Sequence, residues 1–332
     1  MSRDTRMQQK QLGDLWPVSI LTLGGGGIGQ VWGQTTQGEA IATARLAVDK
    51  GITLLDMAPS YGRGEAETVI GKAFQGLLPE HVHINSKCLL GTDSAEPTMS
   101  KLEHSIKRSL AAMQIEAIDL FFLHSQIIPD DYLFPGDLAF NQKKWSVTWS
   151  CYDQVVIPAF EALKAKGIIK AWGITGTGLP QTIKQALDHS TKPAAVQVIT
   201  NLLDSAGGIR RFEAPAEPRN ILAAAAANEV GILGIRAVQA GALCQQMDRS
   251  LAADHPDAKD YQRAASFRAL CAKWTEDPAV IAHRYALAMA VDSVVLGVKN
   301  RQELMACVQG AELGPLDQQQ ISEIDSLDLI QR

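Results

Sequence analysis

Short apolar runs rich in β-branched and aromatic residues recur along this chain, each followed by a longer stretch in which apolar residues return every three or four positions. Eight runs have strand character, at 19–24, 52–57, 82–87, 118–124, 170–175, 194–200, 231–238 and 293–298. Such alternation builds βα units on a parallel sheet. Among the helical stretches, Met99, Leu102, Ile106, Leu110 and Met113 mark one face, and Ser100 with Glu103 offers a capping box at its start. Pro158 suits the first helical position of 158–166, with Gly167 as its left-handed stop. Other helices are expected at 38–50, 64–76, 179–189, 219–229, 277–290 and 301–309, with a short tail from Pro315. Residues 8–19 read as a small hairpin that plugs one end of the sheet once it closes.

Eight such units predict a single α/β domain over 1–332, a (β/α)8 TIM barrel with an N-terminal hairpin. No linker rich in Pro, Gly or Ser divides it. Three segments, 125–157, 201–216 and 241–276, exceed a simple connection. Each follows a strand, so all three are expected to rise from the C-terminal face, where barrel active sites form. The first concentrates Tyr132, Phe134, Phe140, Trp145, Trp149 and Tyr152 in a chain that is only 6% aromatic. These rings either pack the segment down or wall a substrate pocket.

Composition narrows the partners. With 332 residues, 46% of them hydrophobic and 20% charged, the chain can bury a large core. A net charge of -5 without a long block of either sign points to a small molecule rather than to nucleic acid or a membrane surface. The opening residues, MSRDTRMQQK, lack a signal-peptide apolar core, so a cytoplasmic protein is expected, as a monomer or small homo-oligomer. Cys88, Cys151, Cys244, Cys271 and Cys307 are odd in number and include no CxxC pair, which argues against disulfides and zinc. His81 and His83 share one face of a strand, but two ligands are too few for a metal site.

On a closed barrel the ends of three consecutive strands bring Asp56, Lys87 and His124 to one rim, and Tyr61 lies just beyond Asp56. Hydride transfer to a carbonyl needs such a cluster, because the oxygen must receive a proton as the hydride arrives. A phenol with a pKa of about 10 is a poor acid near neutrality, and an adjacent ammonium lowers that value. Lys87 supplies the ammonium, Asp56 holds it, and His124 orients the carbonyl oxygen.

Longer motifs carry a family resemblance. Residues 51–74 (GITLLDMAPSYGRGEAETVIGKAF), 85–90 (NSKCLL) and 109–124 (SLAAMQIEAIDLFFLH) resemble the strand-two, strand-three and strand-four signatures of the aldo-keto reductase superfamily. The match continues through 164–175 and 194–204, and spans roughly 11 to 310. The resemblance implies Asp56, Tyr61, Lys87 and His124 as catalytic residues, with Tyr61 the general acid and base. It further implies NADP(H) or NAD(H) as cofactor, with Thr175 and Gln197 at the carboxamide and Gly25 and Gly26 beside the nicotinamide ring. Asp56 also borders that site, and the turn at Gly297 receives the adenosine phosphate. Trp32, Tyr61 and His124 would meet the substrate, an aldehyde, ketone or sugar lactol.

Departures from the family pattern bear on the cofactor. Thr175 and Gly176 replace a usual Ser-Asn pair, and Arg236 replaces a stacking aromatic. Glu303 stands where many members carry an arginine against the NADP 2′-phosphate, while Lys299 and Arg301 remain as phosphate partners. The choice between NAD and NADP stays open. Two other readings compete. GGGGIG (24–29) fits a dinucleotide-binding fingerprint, but no helix opens after it and no acid ends a strand about 20 residues on. GEAETVIGKAF is no phosphate loop, since Ala73 follows its lysine. A nicotinamide-binding barrel acting as a redox sensor without turnover is the remaining alternative.

Overall fold

The computed structural model describes residues 7–91, 97–136 and 139–330. Its strands are β1 (Gln9–Gln11), β2 (Pro17–Ser19), β3 (Leu21–Gly24), β4 (Leu54–Asp56), β5 (His83–Cys88) and β6 (Ile118–Leu123). They continue with β7 (Gln126–Ile128), β8 (Ser146–Thr148), β9 (Ile169–Gly176), β10 (Ala195–Ile199), β11 (Gly231–Ile235) and β12 (Ser293–Leu296). Eight of these close into a barrel in the order β3-β4-β5-β6-β9-β10-β11-β12, with every neighbouring pair parallel. All eight expected strands are therefore present, with helices between them.

Side chains alternate across each strand with a period of two. Leu55, Phe121, Leu123, Trp172, Ile174, Val196, Val198, Val294 and Leu296 pack outward in the large core between sheet and helices. Leu54, Leu120, Phe122, Ala171, Ala195 and Leu233 form a separate cluster inside the barrel. Each large side chain so buried contributes about 1.5–3 kcal/mol. Leu12 and Val18 of the β1–β2 hairpin complete that inner cluster, so the hairpin does plug the barrel. At the hairpin's turn Gly13 has φ +49, and a Cβ there would come within 2.5 Å of the Gly231 nitrogen. Counting in twos from the inner cluster reaches Asp56, His124, Thr175 and Gln197 at the opposite mouth, with Lys87 on the same face of β5.

Several boundaries depart from the sequence expectation. The helix over Thr98–Met113 starts before Ser100, with Pro97 at its N-cap, so there is no Ser100–Glu103 capping box. Glu103 instead accepts a bond from Lys166 at 3.2 Å. Helix formation also precedes Pro158, from Trp149 onward through a π-helical turn at Tyr152–Val156. Pro158 has no N–H for the carbonyl four residues back and would clash with it in a regular turn; the wider turn relieves both problems.

Segment 241–276 holds two helices, Pro256–Arg263 and Ala265–Trp274. The tail from Pro315 holds another, Gln318–Asp325, started by an Asp317–Gln320 capping box. Of the five described aromatic side chains in 125–157, only Trp145 borders the mouth cavity. Tyr132 and Phe134 pack with Ile128, Leu179 and Phe212, and Trp149 packs against Tyr152 and His189. The Phe140 side chain lies outside the described residues. Among the described residues no helix is long and apolar enough to cross a membrane.

Candidate active site

Asp56 closes β4, Lys87 stands on β5, and His124 follows β6, so three adjacent strands deliver their side chains to one rim. Tyr61 enters from the β4 loop at the start of a single tight turn, Tyr61–Gly64. Within that turn Gly62 has φ +61, and a Cβ there would collide with the Gly29 carbonyl, so only glycine lets the loop close.

Lys87 is the centre of the cluster. Its Nζ donates to Asp56 Oδ1 at 2.7 Å and to the Met57 carbonyl at 2.8 Å. The same Nζ lies 4.7 Å from the centroid of the Tyr61 ring. The Tyr61 and His124 rings meet edge to face, with centroids 5.9 Å apart. The Lys87–Asp56 pair is fully enclosed, at 0% and 3% side-chain exposure, so water does not screen it. From across the barrel Gln197 Nε2 also donates to Asp56 Oδ1, at 2.7 Å, and Thr175 Oγ1 donates to the Leu123 carbonyl at 3.1 Å.

Burial governs the protonation states. It pulls the lysine pKa down, but the Asp56 charge and the interaction with Tyr61 outweigh it, leaving Lys87 above its ordinary value. For His124, burial and then the Lys87 charge lower the pKa to about 3, so the imidazole is neutral near neutrality. Tyr61 corrects the sequence expectation. Burial raises its pKa above 10.0, and the Lys87 charge opposes that rise without reversing it. The phenol therefore holds its proton in the free protein.

An elongated cavity of about 820 Å³ runs from this cluster to the first turn of the helix Arg301–Glu312. Trp32, Tyr61 and His124 line it, as do Gly26, Asp56, Thr175, Gln197, Arg236, Gly297, Lys299 and Glu303. Two expected residues stand elsewhere. Gly25 packs behind Tyr61, and Arg301 turns outward to make paired bonds to Glu39 at 3.1 and 2.9 Å. The glycine run 24–29 is explained by contact rather than phosphate binding: a Cβ on Gly27 would strike the Val298 carbonyl, and one on Gly26 the Trp32 indole.

The far end of the cavity is rich in carboxylates. Lys299 Nζ is held by Asp248 Oδ2 at 2.8 Å and by Glu303 Oε1 at 2.7 Å. Glu303 also accepts the Lys299 backbone N–H at 3.0 Å, and Asn300 caps the helix. Arg236 adopts φ +59 and is fixed by Asp257 at 2.8 Å and Gln239 at 2.9 Å. Its guanidinium lies 5.8 Å from the Trp32 ring centroid and that of Arg249 5.5 Å from it. Asp248, Arg249 and Asp257 went unrecognised in the sequence, because nothing in their spacing links 241–276 to the rim.

Among the described residues no cluster of three or more His, Cys, Asp or Glu side chains could hold a metal, and none of the five cysteines is in a disulfide. His83 stacks on Trp16, with ring centroids 4.4 Å apart, while His81 is exposed.

A closed (β/α)8 barrel with buried titratable groups at the C-terminal mouth of a long cavity has the layout of a barrel enzyme. The aldo/keto reductase family model matches residues 20–329, and the chain belongs to that family. L-galactose dehydrogenase of Arabidopsis thaliana is 26% identical over 333 aligned positions, covering 97% of this chain and 95% of the relative. Aldo-keto reductase YhdN of Bacillus subtilis is 33% identical over 101 positions, 29% of this chain and 30% of its own. The fold matches the holo form of aldo-keto reductase AKR11C1 from Bacillus halodurans with a TM-score of 0.71 at 23% identity, over 97% of this chain and 96% of the other. Glycerol dehydrogenase AKR11B4 from Gluconobacter oxydans matches with a TM-score of 0.66 at 20% identity, over 96% and 94%. The chain is accordingly an NAD(P)-dependent oxidoreductase.

The residues present fit a dinucleotide. The cavity is at the upper end of the range of about 300–1,000 Å³ typical of small-molecule sites. On its wall Gly297 presents bare backbone, since a Cβ there would find nothing closer than Trp32 Cδ1 at 3.4 Å.

Proposed function

We propose that this protein interconverts a carbonyl compound and its alcohol, or a sugar lactol and its lactone, with Tyr61 as general acid and base. The carrying observation is the convergence of Tyr61, Lys87, Asp56 and His124 at the cavity end. A bound nicotinamide supplies the hydride in reduction and accepts it in oxidation. In reduction Tyr61 gives its proton to the carbonyl oxygen, and the neutral imidazole of His124 donates a hydrogen bond to the same atom. The Lys87 ammonium stabilises the phenolate that remains, and Asp56, steadied by Gln197, keeps that ammonium charged and aimed. In oxidation the same groups run in reverse. The names of two relatives, L-galactose dehydrogenase and the Escherichia coli methylglyoxal reductase YeaE, support sugars and small aldehydes as first substrates.

The adenosine end favours NAD(H). Lys299 already carries two carboxylate partners and Arg301 is engaged by Glu39. A 2′-phosphate would have to displace those carboxylates and lie beside Glu303, whereas a carboxylate can accept bonds from ribose hydroxyls.

Steady-state turnover with a panel of aldehydes and sugars tests the reading. Tyr61→Phe should lower kcat by about 10²- to 10⁴-fold while dinucleotide binding persists. Unchanged turnover in the variant would remove Tyr61 from the chemistry, and tight dinucleotide binding without turnover of any substrate would favour the sensor alternative.

A further inference from the structure

Among the described residues of the cavity wall, one arginine has no carboxylate partner. Arg211, half-buried in the β10 loop, lines the same cavity as Tyr61 and His124. Its Nη1 donates to the carbonyls of Gly208 at 2.7 Å and Arg210 at 3.1 Å. Its guanidinium carbon lies 4.4 Å from the centroid of the Trp145 ring, which borders the cavity too. Among the described residues no carboxylate pairs with it and nothing accepts from its Nε or Nη2.

Among the described residues, the other arginines and lysines that line this cavity are paired: Arg236 and Arg249 share Asp257, and Lys299 has two carboxylates. Burial lowers the Arg211 pKa, with no acidic charge acting against it. A guanidinium with a fork of free donors, held over an indole, is built to receive a planar or tetrahedral anion. On the same wall Gln126 Nε2 donates to the Ile209 carbonyl at 3.3 Å, which leaves its buried Oε1 as an acceptor for a substrate hydroxyl and not for the anion.

Resting on the assignment of Tyr61 to the carbonyl, we propose that the natural substrate carries an anionic group, a carboxylate or a phosphate, which Arg211 binds at the outer end of the substrate pocket. The reacting carbon then lies at Tyr61 and the anion under Trp145, so Arg211 selects among carbonyls without taking part in proton or hydride transfer.

Matched substrates read this directly. Succinic semialdehyde against butanal tests a carboxylate, and glyceraldehyde 3-phosphate against glyceraldehyde tests a phosphate, each with NADH. The wild type should favour the anionic member of one pair by about 10- to 100-fold in kcat/KM, a charge-assisted contact's worth. Arg211→Gln should lower kcat/KM for that member by a similar factor, mainly through KM, and for the neutral member far less, while Arg211→Lys restores part of the loss. Equal use of both members by the wild type, or equal losses in the variant, overturns the proposal. Protein fluorescence titrated with succinate and with inorganic phosphate, on protein loaded with NADH, gives a readout independent of turnover. Saturable quenching that Arg211→Gln abolishes supports the anion site even if no aldehyde is reduced, an outcome that would refute only the hydride-transfer reading. No quenching by either anion, together with no preference in either pair, removes the site.

Discussion

Asp56→Asn isolates the charge on which the cluster depends. Asparagine keeps an oxygen for Lys87 and Gln197 but withdraws the carboxylate 2.7 Å from the Lys87 ammonium. In the wild type burial is the largest single influence on Lys87, but that charge together with the interaction with Tyr61 outweighs it and holds the lysine above its ordinary value of 10.5. Its contribution is therefore fully present below pH 10.5 and is lost only as the pH rises through the higher folded value. In the variant burial is largely unopposed, and Lys87 sheds its proton on folding. At pH 7 this discharges a lysine whose unfolded pKa is three and a half pH units higher, at about 1.4 kcal/mol per unit, a loss of about 5 kcal/mol. That size agrees with the cost of about 3–5 kcal/mol for orphaning one partner of a buried pair.

The pH dependence is the sharper signature. The unfolded variant binds one more proton than the folded variant, so its stability rises with pH, and by pH 9 the deficit should shrink to about 2 kcal/mol. Urea unfolding followed by tryptophan fluorescence at pH 7 and pH 9 measures both values. The double variant Asp56→Asn with Lys87→Met carries no buried ammonium and should lose the pH dependence. A deficit independent of pH, or below about 1 kcal/mol at pH 7, would refute the reasoning.

Three further outcomes follow. Glu303→Arg removes a carboxylate from Lys299 and adds a cation at the adenosine end, so NADPH should bind more tightly in a fluorescence titration; an unchanged or weaker NADPH constant would take Glu303 out of cofactor choice. With His124 at about 3, carbonyl reduction should show no kcat inflection from an imidazole, and a tenfold change centred near the ordinary value of 6.5 would contradict a neutral His124. Gly26→Ala forces a methyl group onto the Trp32 indole at the cavity wall, and should weaken NADH binding with little change in thermal unfolding; an unaltered dissociation constant would separate Trp32 from the cofactor groove.

The strands were legible as short apolar runs between helical stretches, and their ends brought Asp56, Lys87 and His124 to one rim, whereas Thr175 and Gln197 came only from the family resemblance. What escaped was written in other terms. The helix Pro256–Arg263 buries Asp257 and Asp260 against Arg236 and Gln239, so its inner face is polar and gives no apolar period. The resting state of Tyr61 depends on how much chain covers it, and this turned the expected lowering of its pKa into a rise. Neither the pairing of Arg301 with Glu39 nor the lack of a carboxylate partner at Arg211 is visible along the chain, because ion pairing joins residues as far apart as 39 and 301.

Tyr61 should move a proton while hydride crosses to the carbonyl. Single-turnover oxidation of bound NADH by an aldehyde, run in H2O and D2O with wild type and Tyr61→Phe, tests it most directly. The account predicts a solvent isotope effect on the wild-type hydride step and a step slowed by about 10²- to 10⁴-fold in the variant. A wild-type step indifferent to D2O, or a variant that transfers hydride at the wild-type rate, would contradict it.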